Sequence, residues 1–338
     1  MKITPLHLLT PVLATALTLG ACGASDSGDE EDGPLVVYVG RDEELVSPLI
    51  EQFTEDTGVE VEARYADTPQ LAATLLEEGE ASPAHVFLSQ DAGALGALSA
   101  EGMLEPLNDS ITSRVPADLT STDDSWVGVT GRARVIVYDG EELDADEVPD
   151  SVTDLVEPAW EGRVGFPPGN ASFQSFVTGF RVDRGDAAAQ DWLDGMVDNS
   201  YESYQSNGDV LEAVNTGQLD LGLINHYYWF RTADEVGADQ MRAQLKFPEA
   251  GDPGALVNVT GAGIVSEHPD AATFVDYLVS DAGQTYFVDN TFEYPLVDGI
   301  PAPDGLPALA DLQGPDIDLS DLADLETTIA MIQDAGLT

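Results

Sequence analysis

A chain of 338 residues with 63 acidic and only 12 basic side chains carries a formal charge of −51, which excludes the basic footprint of a nucleic-acid binder. Its 43% hydrophobic and 7% aromatic content allows packed interiors, so the acidity does not signal a disordered tail, and the length suggests two globular lobes or one large α/β unit. A single cysteine leaves no disulfide, thiolate metal site or cysteine nucleophile in the body.

The opening segment, MKITPLHLLTPVLATALTLGAC, has one lysine, no acid and an apolar run, and reads as a secretion signal over residues 1–21. The small residues before Cys22 resemble a bacterial lipobox, in which cleavage leaves Cys22 as the lipid-modified N-terminus. Residues 22–34 follow as a Gly/Ser/acidic stretch without apolar periodicity, a flexible tether. No later run is long and apolar enough to span a bilayer. Once Lys2 leaves with the signal, Lys246 is the only lysine beside ten arginines. So acidic a surface repels itself unless salt screens it, with a Debye length of about 3 Å at 1 M. A salt-loving or alkali-living source is expected, its protein facing the medium, and the acidity is environmental rather than one large metal-binding surface.

The body opens with PLVVYVG, a β-rich run, and RDEELVSPLIEQFTEDTG, where Leu45, Leu49, Ile50 and Phe53 fall at helical spacing and Gly58 closes the helix. VEVEARYAD alternates as a strand, TPQLAATLLEEGEASPA is a helix closed by Gly79, and HVFLSQ is a third strand. This β-α-β-α-β order begins a doubly wound sheet. Alternation resumes in RVGFPPGNASFQSFVTGF, VLEAVNTGQLDLGLIN and GAGIVSEHPDAATFVDYLVSDAGQTYF, with no repeat at 20 to 50 residues. Ligands of open α/β sheets bind outside the carboxyl ends of strands. VGRDE, LSQDAG and FPPGNAS each end a strand and begin a helix with polar residues, and INHYYW ends an apolar strand, so a common cleft is expected there.

Read together, VYVGRDEELV, SPAHVFLSQDAGAL, TGRARVIVYD, EPAWEGRVGF, LEAVNTGQLDLGLINHYYWF, DPGALV and EYPL resemble, in order and spacing, the periplasmic ferric-ion-binding proteins of bacterial iron ABC importers. The resemblance runs from about residue 35 to the C-terminus. It implies a class II periplasmic-binding-protein fold, two doubly wound lobes joined by a two-strand hinge, closing on Fe(III) with a synergistic anion, carbonate or phosphate. The family's adjacent tyrosine pair matches Tyr227 and Tyr228. Fe(III) is a hard cation suited to anionic oxygen, and it drives phenols with a pKa near ~10 to phenolates. The bland alternative for the pair is an aromatic rim, and His226 and Trp229 are expected to be structural.

The chain departs from the best-known branch where that branch places a His after the first strand and a Glu after the third, because Asp42 and Gln90 stand there. Either can offer an oxygen to the metal, as can the neighbouring Asp91; Asp42 can equally serve as a helix cap and Gln90 as a strand end. Asn170, Ala171 and Ser172 occupy an apparent helix start, where free N–H groups make an anion seat. By resemblance, Asn207, Asn225 and Arg132 line the anion site, Arg132 with a planar fork suited to an oxyanion. Arg41 lies at a strand end near the same cleft, with charge balance of a nearby carboxylate as the competing role.

The function implied is a lipid-anchored, extracytoplasmic receptor on the outer face of the cell membrane. It would capture ferric iron and deliver it to the permease and ATPase of an ABC importer, working as a monomer without nucleic acid. The competing readings are a receptor for an oxyanion, thiamine or polyamine, and a secreted hydrolase. The last lacks any G-x-S-x-G or H-E-x-x-H motif, and its histidines lack zinc-like spacing. The expected N-terminal lobe is 35–132 plus 259–308, and the C-terminal lobe 133–258 plus 309–338, with hinge strands near RARVIVYD and ALVNVTGAGIV.

Overall fold

The computed structural model describes residues 33–337, so the signal segment and Cys22 lie outside the described residues. The first part alternates β1 (Leu35–Val39), α1 (Glu43–Thr57), β2 (Val61–Tyr65), α2 (Thr68–Glu78), β3 (Val86–Ser89) and α3 (Ala92–Ala100). A short α4 (Asp109–Thr112) leads to β4 (Val127–Asp139). Then come β5 (Val164–Phe166), α5 (Ala171–Arg184), α6 (Asp186–Asp198), β6 (Glu202–Ser203), α7 (Asn207–Asn215), β7 (Leu221–Asn225), α8 (His226–Val236) and β8 (Ala243–Lys246). The chain returns through β9 (Val257–Ile264), α9 (Ala271–Leu278), α10 (Asp281–Thr291) and β10 (Tyr294–Pro295), and ends on α11 (Leu325–Asp334).

The apolar face read from the sequence fixes α1: Val46, Leu49, Ile50 and Phe53 are buried, and Gly58 at φ 78° ends the helix by donating its N–H to the Thr54 carbonyl. β1, β2 and β3 are parallel, and β9 runs antiparallel between β3 and β4. β4 is the pivot of the sheet. Its first part, Val127–Ala133, pairs with β9, whereas Arg134–Tyr138 pairs with β7, which neighbours β5 and then β6 in parallel. A β4 of 13 residues, buried throughout, therefore belongs to both halves of one sheet in the order β2-β1-β3-β9-β4-β7-β5-β6. Separate apolar cores flank the pivot, one around Phe53, Phe87 and Phe274, the other around Phe166, Phe173 and Trp192. One sheet shared by two cores is the arrangement the expected periplasmic-binding-protein fold requires.

The C-terminal segment, expected on the second lobe, divides between the two cores. Leu319 and Leu322 join the first, and Met331, Ile332 and Leu337 the second. Its apolar residues form two short groups separated by acids, so each buries against a different neighbour. The first group approaches α3 so closely that a Cβ at Gly93 or Gly96 would stand 2.5 or 2.6 Å from the carbonyl oxygens of Leu322 or Ser320. Farther on, Arg181 of α5 donates to the Asp324 carboxylate and to Thr328, each at 2.9 Å.

Candidate functional site

The crossover in β4 decides the chemistry of the cleft. Side chains alternate along a strand, so Arg132 and Arg134 share a face while Ala133 points to the other, into an apolar group with Val257 and Tyr294. Their cross-strand partners are Asn258 opposite Arg132 on β9 and Asn225 opposite Arg134 on β7. These four residues, with Ser172, Phe176 and Leu256, line one pocket. Arg134 and Asn258 were not among the residues singled out in the sequence; the i, i+2 spacing in RARV was the available signal.

The arginine charges are not balanced alike. Arg41, at the end of β1, is buried and grips Glu293 through two bonds of 2.6 and 3.2 Å, and donates also to Thr260. Burial alone would lower the pKa of Arg41, but Glu293 raises it above the usual value. Glu293 is itself wholly buried, and although burial opposes its charge, Arg41 first and then Arg132 and the Thr130 hydroxyl hold it below the usual range. The charge-balance role is thus filled by Glu293, 252 positions away in the chain.

Arg132 and Arg134 are 2% and 3% exposed, and among the described residues neither has a carboxylate in ion-pair range. Arg132 donates to the backbone carbonyls of Gln90 and Val259, and its Nε is buried without a partner. Arg134 donates to Ser172 Oγ at 3.2 Å and lies 5.5 Å from the Phe176 ring centre. Burial pushes Arg134 down to about 9; Tyr227 opposes this and Arg132 adds to it. Burying a guanidinium without a paired carboxylate is costly, a cost that a bound anion would offset.

The residues expected to seat an anion lie at helix starts. Asn170 caps α5, its Oδ1 accepting from the Ser172 N–H at 3.0 Å and from the Ser172 hydroxyl at 2.6 Å. Asn207, first residue of α7, donates to Asn170 Oδ1 at 3.3 Å and Ser172 Oγ at 3.2 Å, while its own Oδ1 is buried without a partner. Ala171 begins α5 and has no polar side chain to offer. Asn225 precedes α8 without capping it through its side chain.

Tyr227 and Tyr228 are the second and third residues of α8, where the positive end of the helix favours negative oxygen. Their rings stack at 4.5 Å, with Tyr227 5% exposed. Burial raises the pKa of Tyr227 and neighbouring Tyr228 adds to the rise, whereas Arg132 and Arg41 pull it down. His226 is a clamp rather than a ligand: its Nδ1 accepts from the Ala133 N–H at 3.1 Å, which leaves Nε2–H to donate to the Phe292 carbonyl at 2.9 Å. Burial keeps it neutral, with its pKa lowered to about 4. Trp229 donates to the Ala243 carbonyl at 2.7 Å.

Asp42 precedes α1 and is exposed, with no side-chain cap bond to the helix. Gln90 is half-buried, its carbonyl taken by Arg132 and its N–H donated to Thr68 at 2.9 Å. Asp91 caps α3 by accepting from the Ala94 N–H at 3.1 Å. Among the described residues no cluster of three or more His, Cys, Asp or Glu could hold a metal. Tyr227 and Tyr228 are not on the wall of the arginine pocket; Tyr227 is linked to it electrostatically, Arg132 favouring the charged form of Tyr227 and Tyr227 that of Arg134. A cavity of about 630 Å³ adjoins that pocket through Leu256, between the loop at 295–300 and residues 309–317, with none of the polar side chains of the arginine pocket on its walls.

A profile of bacterial extracellular solute-binding proteins matches residues 81–317. The major ferric iron-binding protein of Neisseria meningitidis serogroup B is 34% identical over 334 residues, covering 96% of this chain and 97% of that protein. Iron-bound HitA from Pseudomonas aeruginosa superposes with a TM-score of 0.83 at 32% identity, over 90% of this chain and 99% of its own. A Trichodesmium protein (IdiA, FutA) in complex with iron and citrate gives 0.79 at 27% identity, over 90% and 100%.

Proposed function

The chain belongs to the bacterial extracellular solute-binding proteins, in their periplasmic ferric-iron-binding family, and from that premise we propose that it captures Fe(III) together with a synergistic anion in the cleft at the β4 crossover. It is an iron-binding transport protein and not an enzyme. The observation that carries the reading is the stacked Tyr227–Tyr228 pair at the start of α8, beside two buried arginines that lack carboxylates.

Tyr227 and Tyr228 supply phenolate oxygen, each releasing a proton as the metal binds. Carbonate, phosphate or a carboxylate chelator occupies the seat formed by Arg132, Arg134, Asn225, Asn207, Asn170, Ser172 and the Ala171 N–H, balancing the arginines and filling metal positions that the protein leaves open. Asp42 and Gln90 approach from the first lobe on closure, with Arg41 held behind them. The lobes, taken as 35–132 plus 259–308 and 133–258, with the C-terminal segment packed on both, close as hinged bodies and exclude water. Delivery is to an ABC permease and its ATPase, from a monomer anchored to the outer face of the membrane through lipid on Cys22.

The test is a visible absorption titration of the soluble body at high salt, adding ferric citrate with bicarbonate or phosphate. A phenolate-to-iron band that Tyr227→Phe/Tyr228→Phe abolishes without unfolding the protein is the expected result. Phosphate-induced stabilisation with no band would instead favour an oxyanion receptor using Arg132 and Arg134.

A further inference from the structure

The turn between α10 and β10 touches α8, β4 and the turn after β1. Phe292 sits in the left-handed region at φ 57°, a conformation rare for a bulky residue and kept only where the surroundings enforce it. Its carbonyl accepts from His226 Nε2–H at 2.9 Å, and His226 is the first residue of the helix bearing Tyr227 and Tyr228. The next residue, Glu293, holds Arg41, whose neighbour is Asp42, and accepts from the Thr130 hydroxyl of β4. Tyr294 and Pro295 then pair with Gly131 and Thr130, directly before Arg132. Four consecutive residues, 292–295, thus fix the tyrosine helix, the turn after β1 and the arginine strand against one another.

We propose that Glu293 is a positioning residue for metal capture: by bridging Arg41 and Thr130 beside the Phe292–His226 bond, it sets the tyrosine-bearing helix against the Asp42-bearing turn. It need not touch the metal. The inference rests on the iron reading of the cleft. Its buried carboxylate spans two partners, Arg41 in the turn after β1 and Thr130 on β4, so side-chain length matters as well as charge. Glu293→Asp keeps the charge but withdraws the carboxylate by one methylene, whereas Glu293→Gln keeps the length and removes the charge.

The experiment measures, for the full soluble body, ferric affinity by chelator competition, the phenolate-to-iron band and the melting temperature of the apo protein. A positioning role predicts that Glu293→Asp, folded at the assay temperature, binds iron at least about tenfold more weakly, the range found when outer-shell partners of metal ligands are removed, with a displaced band. Wild-type affinity and band in both variants, despite lower melting temperatures, would make Glu293 a residue of the fold alone and overturn the proposal. Loss in Glu293→Gln with none in Glu293→Asp overturns it too, since charge would then suffice. If neither variant folds, Thr130→Val decides, because it deletes one bond to Glu293 and leaves the ion pair. A displaced band there supports the proposal, and an unchanged one refutes it. An unsubstituted protein without any band removes the iron reading and this inference with it, whereas a normal band unmoved by every variant removes only the inference.

Discussion

Replacing Arg134 by methionine should stabilise the apo protein while abolishing its response to anions. Arg134 is 3% exposed and is held at about 9 instead of 12.5. Its folded value lies below its unfolded one, so the penalty on the charged form is absent above the unfolded value, grows as the pH falls and is fully present below 9. At neutral pH it amounts to an upper bound on the order of 5 kcal/mol. Methionine forfeits the bond to Ser172 and the contact over Phe176, together worth about 2 kcal/mol. With relaxation and water entry trimming the penalty further, a net gain of about 1–2 kcal/mol remains. For a body of this size that is about 2–6 °C in melting temperature. The assay is a thermal melt at constant high chloride, free of phosphate, carbonate and carboxylate buffers, then repeated with phosphate. Phosphate at about 100 times its Kd should stabilise the unsubstituted protein by about 2.7 kcal/mol and the variant far less. A variant that melts lower than the parent and still gains fully from phosphate would refute the claim that an unbalanced Arg134 awaits an anion.

Ferric affinity should rise with pH between 6 and 8, because burial raises the pKa of Tyr227 and the metal must displace its proton; Tyr227→Phe should flatten that slope by about one proton, read by chelator competition at each pH. His226 is buried and lowered to about 4, below its unfolded 6.5, so the stability of its neutral form is present above 6.5 and lost as the pH falls toward 4. That loss is about 3 kcal/mol at most. Denaturant melts of His226→Gln should show a lower plateau at neutral pH and a shallower decline between pH 6.5 and 4. With a formal charge of −51, the melting temperature should climb steeply between 0.1 and 1 M NaCl, over which the Debye length falls from about 10 to 3 Å. A melt independent of salt would contradict a surface built for screening.

The sequence by itself determined the elements and the place of the chemistry. Periodicity is a local property, so Leu49, Ile50 and Phe53 marked the buried face of α1 and Gly58 its end. The adjacent tyrosines were singled out through the family resemblance; that they open a helix directly after β7 is decided by the structure. Partners were not legible. In a chain of 63 acids no local rule selects Glu293 for Arg41, or leaves Arg132 and Arg134 without a carboxylate in ion-pair range; only the assembly of distant strands into one sheet decides that. Nor does composition divide the C-terminal segment between two cores, which follows from the glycines of α3 opening room for its backbone. Charge balance and close approach depend on which residues distant in the chain meet in space, and that is settled only when the whole chain has folded.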